Sequence, residues 1–218
     1  MSLFRTSAPT VTDTERRLAL QAASLVLGYP DDALRARLPL LDEVARRLPD
    51  ASGGPLARVV RSLQDTDLHD LQRAYVDTFD LRRRCCLFLT YHAHGDTRKR
   101  GMALLRFTHA YKSAGFELVP DQLPDDLAVV CEFAATGDLA AGLALLAEHR
   151  AGLELTRLAL ADLRSPWLDA VDTVRAVLPD PGPQDLQRAL DLARTGPPEE
   201  EVGLEPFGPP EHTGVARR

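Results

Sequence analysis

The apolar positions of this chain recur at intervals of three and four, and the pattern breaks at clusters of Gly, Pro and Asp. Thr12 and Glu15 have the spacing of a capping box, and the run ERRLALQAASLVL behind them predicts an apolar helix stopped by Gly28 and Pro30. Asp31–Asp32 can cap a short second helix, and Pro39 opens a third that runs to about Leu48. PDASGGP, 49–55, reads as a loop. Asp65 or Thr66 starts the next helix, whose apolar stripe is Leu68, Leu71, Tyr75 and Phe79. Beyond DLRRR, the run CCLFLTYHAH is too short to assign by its period. Gly95 ends it, and Asp96 is the natural N-cap of a long helix reaching Gly115.

A Pro-punctuated link follows, then a helix from about Pro124 to Thr136. Gly137–Asp138 supplies a stop and a start. DLAAGLALLAEH and GLELTRLALADL predict two antiparallel helices with Arg150–Gly152 as their turn. Ser165–Pro166 caps and opens a helix through Leu178, PDPGPQ is a hinge, and Asp185 to Arg194 is a last helix. From Thr195 onward the chain is rich in Pro, Gly and Glu and is expected to be disordered, because it has too little apolar surface to offset ordering entropy. The expectation is an all-α, single-domain bundle of about ten helices: 1–11 a loose leader, 12–194 the domain, 195–218 a disordered tail.

Composition supports helix over strand, since 44% of residues are apolar but only 6% aromatic. The formal net charge of −6 gives no global field for nucleic acid. Cys85, Cys86 and Cys131 are an odd set without a C-x-x-C pair, which predicts reduced, non-ligating thiols in a reducing cytoplasm. The N-terminal stretch has no signal-like apolar core, and no run approaches the roughly 20 apolar residues of a membrane span. A cytoplasmic protein without stable membrane insertion is expected.

Candidate chemistry concentrates in LTYHAHGDTRKRGMALL, 89–105. His92 and His94 on a helix would point about 200° apart, which does not suit one metal ion. No nucleophile elbow and no G-x-x-x-x-G-K-[ST] loop occurs, so neither an enzyme nor a nucleotide site is expected. Arg98, Lys99 and Arg100 in the first turn of a helix oppose its dipole, which suggests charges kept for a partner. With Arg82, Arg83 and Arg84 they could form a nucleic-acid patch, although no recognised framework surrounds them. On a 100° wheel, Arg100, Leu104, Phe107, Tyr111 and Ala114 share one face, and Arg98, Arg106, His109 and Lys112 share the opposite one. Met102 and Leu105 fall among those cations. That suits either a groove for an amphipathic helix or a helix packed on both sides.

Three motifs in this region resemble a known family. They are Tyr75-Val76-Asp77-Thr78-Phe79-Asp80, Leu87-x-Leu89-Thr90-Tyr91, and Gly95-Asp96-Thr97-Arg98-x-Arg100-Gly101 with Tyr111-x-x-Ala114-Gly115 behind it. Together with DQLPDDLAVVCEFAA they resemble the centre of the nitrate reductase delta-subunit family, the NarJ-type molybdenum cofactor assembly chaperones. The resemblance is specific over roughly 75–135. It implies an all-helical fold, no catalysis and no cofactor held by the chain itself. It also implies a partner, the N-terminal peptide of the apo catalytic (alpha) subunit of a respiratory nitrate reductase. On that reading Tyr75, Phe79, Leu87, Tyr91, Leu104 and Tyr111 would floor a peptide groove, and Asp96, Arg98 and Arg100 would orient the ligand. The alternative from another class is a small helical regulatory or nucleic-acid-binding domain using Arg82–Arg84 and Arg98–Arg100.

Overall fold

The computed structural model describes residues 11–120 and 122–182, together with 187, 188, 190–192 and 194. Its ten bounded α-helices are α1 Asp13–Leu27, α2 Asp32–Arg47, α3 Asp50–Asp65, α4 Leu68–Tyr75, α5 Tyr91–His94, α6 Arg98–Ser113, α7 Leu127–Thr136, α8 Leu139–Glu148, α9 Arg150–Asp162 and α10 Trp167–Val177. A π-helical turn, Val76–Asp80, and a 3-10 turn, Arg83–Cys85, lie between α4 and α5. The sole β feature among the described residues is an isolated bridge between Phe88 and Asp126. The all-α expectation therefore holds. Residues 1–10 of the leader and the whole tail from Thr195 lie outside the described residues, and the expected last helix is seen as helical positions at 187, 188, 190–192 and 194.

The centre of the bundle is α1. Thr12 caps it as the sequence indicates: its hydroxyl accepts from Glu15 N–H, and the Glu15 carboxylate accepts from Thr12 N–H at 2.7 Å. Ala19, Leu20, Ala23, Val26 and Leu27 are fully buried. Each large side chain among them contributes roughly 1.5–3 kcal/mol by leaving water. The helix packs mainly against α7 and α10 and also touches α2 and α3. Trp167 of α10 is buried with its indole N–H satisfied by the Val26 carbonyl at 3.0 Å. Arg17 ties the end of α7 to α1 by donating to the carbonyls of Ala134, Ala135 and Gly137.

Several boundaries differ from the sequence expectation. Residues 32–47 form one helix with Pro39 inside it rather than two helices. The interior proline removes a hydrogen bond, a cost of about 3 kcal/mol, but Leu34, Leu38, Leu41 and Ala45 form one continuous buried stripe across it. Residues 50–55, expected as loop, are the first turns of α3. Gly53 serves close packing there: a Cβ at that position would lie 2.4 Å from the Ala45 carbonyl oxygen. Asp67, not Asp65 or Thr66, caps α4, and Asp126 caps α7, which starts at Leu127 rather than near Pro124. The break between α8 and α9 is His149 alone, with Arg150 and Gly152 buried inside α9.

Candidate functional site

The region that the motifs single out is built in three pieces. In the first, α4 widens into the π-turn, closed by Leu81 N–H donating to the Val76 carbonyl at 3.1 Å. The extra residue in the turn leaves both Thr78 and Phe79 buried. Tyr75 donates its hydroxyl to the Leu27 carbonyl at 2.9 Å. Its ring lies 4.7 Å from Phe79 and 5.5 Å from both Tyr29 and Trp167, centroid to centroid. Burial pushes the Tyr75 hydroxyl well above its ordinary pKa, so it remains a donor. The cluster has an accessible edge: Tyr29 is 53% exposed, and Leu81, just past the turn, is 70% exposed.

The second piece is the segment 86–90, extended as far as Phe88 and turning at Leu89–Thr90, laid against the Pro124–Asp126 loop. Leu89 N–H donates to the Asp125 carbonyl at 2.9 Å, and Leu127 N–H donates to the Leu87 carbonyl at 3.0 Å. The Asp125 carboxylate is fully buried and accepts from both the N–H and the hydroxyl of Thr90, at 3.1 and 2.5 Å. Arg100 completes the cluster. Its Nε donates to Thr90 Oγ1 at 3.2 Å, its Nη1 pairs with Asp96, and its Nη2 lies 3.6 Å from Asp125 Oδ2. The guanidinium also lies over the Phe88 ring, 5.1 Å from its centroid. Asp125 Oδ1 and Arg100 Nη2 are each left without a hydrogen-bond partner.

The third piece is α5 and α6. Gly95 has φ 56°, a left-handed conformation that turns the chain between them. Thr97 is the N-cap of α6, with no side-chain capping bond, and its hydroxyl donates back to the His94 carbonyl. Asp96, expected as the cap, is an exposed partner of Arg100 instead. The inward face of α6 carries the residues that the wheel assigns to it. Phe107 and Tyr111 are buried, and Tyr111 donates to the Pro124 carbonyl at 2.6 Å and packs on Phe133. The opposite face leaves Met102 71% and Leu105 58% exposed, with Arg98, Lys99, His109 and Lys112 also exposed.

The two histidines behave differently. His92 is buried, with Nε2 2.9 Å from Thr156 Oγ1. That hydroxyl donates to the Cys86 carbonyl, so it accepts from His92 Nε2–H and selects that tautomer of the neutral ring. Burial lowers the His92 pKa to about 4. His94 is half-buried. No group of three or more His, Cys, Asp or Glu among the described residues could hold a metal ion.

The structure thus brings Tyr75 and Phe79 into one aromatic cluster, and gathers Leu87, Asp96, Arg100 and Tyr111 around the 124–126 loop. Tyr91 is buried beside His92. Leu104 is half-buried and Arg98 exposed on α6. The sequence reading missed Tyr29, Phe88, Thr90, Asp125 and Trp167. Asp125 had a legible signal, since it lies in the Leu-Pro-Asp segment already noted; Trp167 comes from a distant helix and had none.

The described residues form an all-helical domain with apolar side chains left accessible beside a buried polar cluster of Thr90, Arg100 and Asp125. A redox enzyme maturation protein from Archaeoglobus fulgidus shares the fold, with a TM-score of 0.55 and 21% identity over 80% of this chain and 96% of that one. The family model described as nitrate reductase delta subunit matches residues 31–172, and the chain belongs to that family. The Escherichia coli (strain K12) nitrate reductase molybdenum cofactor assembly chaperone NarJ is 30% identical over 190 residues, 80% of each chain. The nitrate reductase-like protein NarX of Mycobacterium tuberculosis (strain H37Rv) is 37% identical over 154 residues, 71% of this chain; the chain spans only 23% of the length of NarX.

Proposed function

We propose that this chain is a cytoplasmic assembly chaperone for a respiratory nitrate reductase. It binds the N-terminal peptide of the apo catalytic subunit, keeps that subunit competent for molybdenum cofactor insertion, and performs no catalysis itself. The observation that carries this reading is the 80% mutual coverage with NarJ of Escherichia coli. No helix among the described residues is long and apolar enough to cross a membrane.

The peptide would meet the accessible layer of the region described above. Leu81 and Tyr29 extend the Tyr75–Phe79 cluster outward, and Leu104 offers a half-buried apolar contact. Asp96 and Arg98 lie at the rim, while Leu87, Tyr91, Arg100 and Tyr111 hold the wall from inside. Isothermal titration calorimetry with a synthetic N-terminal peptide of the catalytic subunit tests this. Leu81→Ser and Leu104→Ala should each weaken binding about tenfold, since a buried apolar side chain contributes roughly 1.5–3 kcal/mol before ordering costs. Added salt should change the affinity only modestly. Failure of the folded wild-type chain to bind the peptide sinks the proposal. Salt-sensitive binding of a DNA duplex through the exposed Arg82, Arg83 and Arg84 would favour the nucleic-acid reading instead.

A further inference from the structure

The outer face of α6 is not explained by the fold. Arg98, Met102, Leu105, His109 and Lys112 recur at intervals of three and four and are all exposed, so they form one stripe along the whole helix. Lys99 and Arg106 flank it. Its centre is apolar and its ends are cationic, on a chain whose formal net charge is −6. Glu148 pairs with Arg106, and Asp96 with Arg100. Arg98 and Lys99 stand in the first turn, where positive charge opposes the helix dipole and costs stability. The face is convex. Two cavities on the surface, one lined by Arg17, Phe116, Gly137 and Leu143 and the other by Leu89, Ala93, His149 and Gly152, both exclude the stripe.

We propose that this face docks on an anionic phospholipid surface. Exposed apolar residues set between cations complement a planar, negatively charged layer. Met102 and Leu105 enter the interfacial zone, and Lys99 and Lys112 face the phosphate groups. Contact is peripheral and reversible, because two apolar side chains and a few cations give a weak partition coefficient. The proposal does not depend on the client reading, since Met102, Leu105, Lys99 and Lys112 take no part in the peptide site built around Leu104 and Tyr111.

Vesicle flotation decides it, with vesicles of phosphatidylcholine alone and of equal parts phosphatidylcholine and phosphatidylglycerol, at low and high salt. The full chain should float with the anionic vesicles at low salt and not with the neutral ones. Each lysine removed should lower the partition about fivefold, the equivalent of about 1 kcal/mol per cation, so Lys99→Glu with Lys112→Glu should abolish flotation. Met102→Ser with Leu105→Ser should weaken it on the same vesicles. These positions are exposed, so circular dichroism should show all variants folded. Three results overturn the proposal: no flotation of the wild type with anionic vesicles, equal flotation with neutral vesicles, or loss on Arg82→Glu with Arg84→Glu but not on the lysine changes. Binding to polyglutamate without binding to anionic vesicles would also overturn it and assign the face to an acidic chain.

Discussion

Gly101→Ala and Gly142→Ala are the same chemical change in two helices, and the structure gives them opposite signs. At Gly101 an added Cβ meets nothing within 4 Å. Only the helix propensity of alanine over glycine acts there, a gain of about 1 kcal/mol. At Gly142 the Cβ would lie 2.4 Å from the Ala134 Cβ and 2.7 Å from its Cα. Carbon atoms settle near 3.5–4.0 Å, so α7 and α8 would have to part by about 1 Å. The obstacle is backbone and a Cβ, neither of which can rotate away. Overpacking of this kind costs about 1–3 kcal/mol, and the loss of contact between two helices with few polar residues adds to it. The net effect is a loss of about 1–2 kcal/mol after the propensity gain. For a domain of this size each kcal/mol moves the melting temperature by about 2–4 °C. Differential scanning calorimetry should therefore show Gly142→Ala falling by roughly 2–8 °C and Gly101→Ala rising by about 2–4 °C. A melting temperature at or above wild type for Gly142→Ala would refute the close approach of α7 and α8, and a fall for Gly101→Ala would mean that this turn of α6 is packed.

Three further outcomes follow from the buried polar groups. His92 is neutral and buried in the folded state with its pKa lowered to about 4, so the unfolded chain binds the extra proton between that value and about 6.5. Stability should therefore be full above about pH 6.5 and decline as the pH falls toward 4, by up to about 3 kcal/mol, and urea melts of His92→Gln should show a flatter acid limb. Asp125→Ala strips Thr90 and Arg100 of their buried carboxylate and should cost about 3–5 kcal/mol in the same assay, with little loss refuting the buried cluster around Asp125. Burial raises the Cys86 thiol to about 11 and raises Cys85 and Cys131 as well, so a thiol reagent should react slowly with the native chain and at all three cysteines once it is unfolded; fast native labelling of Cys131 would contradict the packing around α7.

Local signals were legible where local chemistry decides the outcome. The capping box at Thr12, the stripe of α4 and the two faces of α6 follow from spacing alone. Proline and glycine misled where tertiary packing decides instead. Pro39 and Pro55 lie inside helices because the buried stripes on either side outweigh one missing hydrogen bond, and Gly53 is a contact residue rather than a turn residue. The π-turn at Val76–Asp80 has no sequence signature, since it adds one residue to the turn that ends α4. The site was half legible. Its aromatic and cationic members stand in recognisable motifs, but whether a side chain faces solvent depends on partners such as Trp167 and Asp125, which arrive from more distant stretches of chain.

The place of α1 at the centre of the bundle bears on how the molecule is made. Its apolar stripe is made before the helices that cover it, α7 and α10: the Trp167–Val26 hydrogen bond spans 141 residues. At ~5–20 residues per second, a nascent chain exposes that stripe for about 7–30 s before α10 exists to cover it. During that interval Leu20, Val26 and Leu27 lack their partners, and truncations that end before α10 should accumulate as aggregates rather than as smaller folded domains.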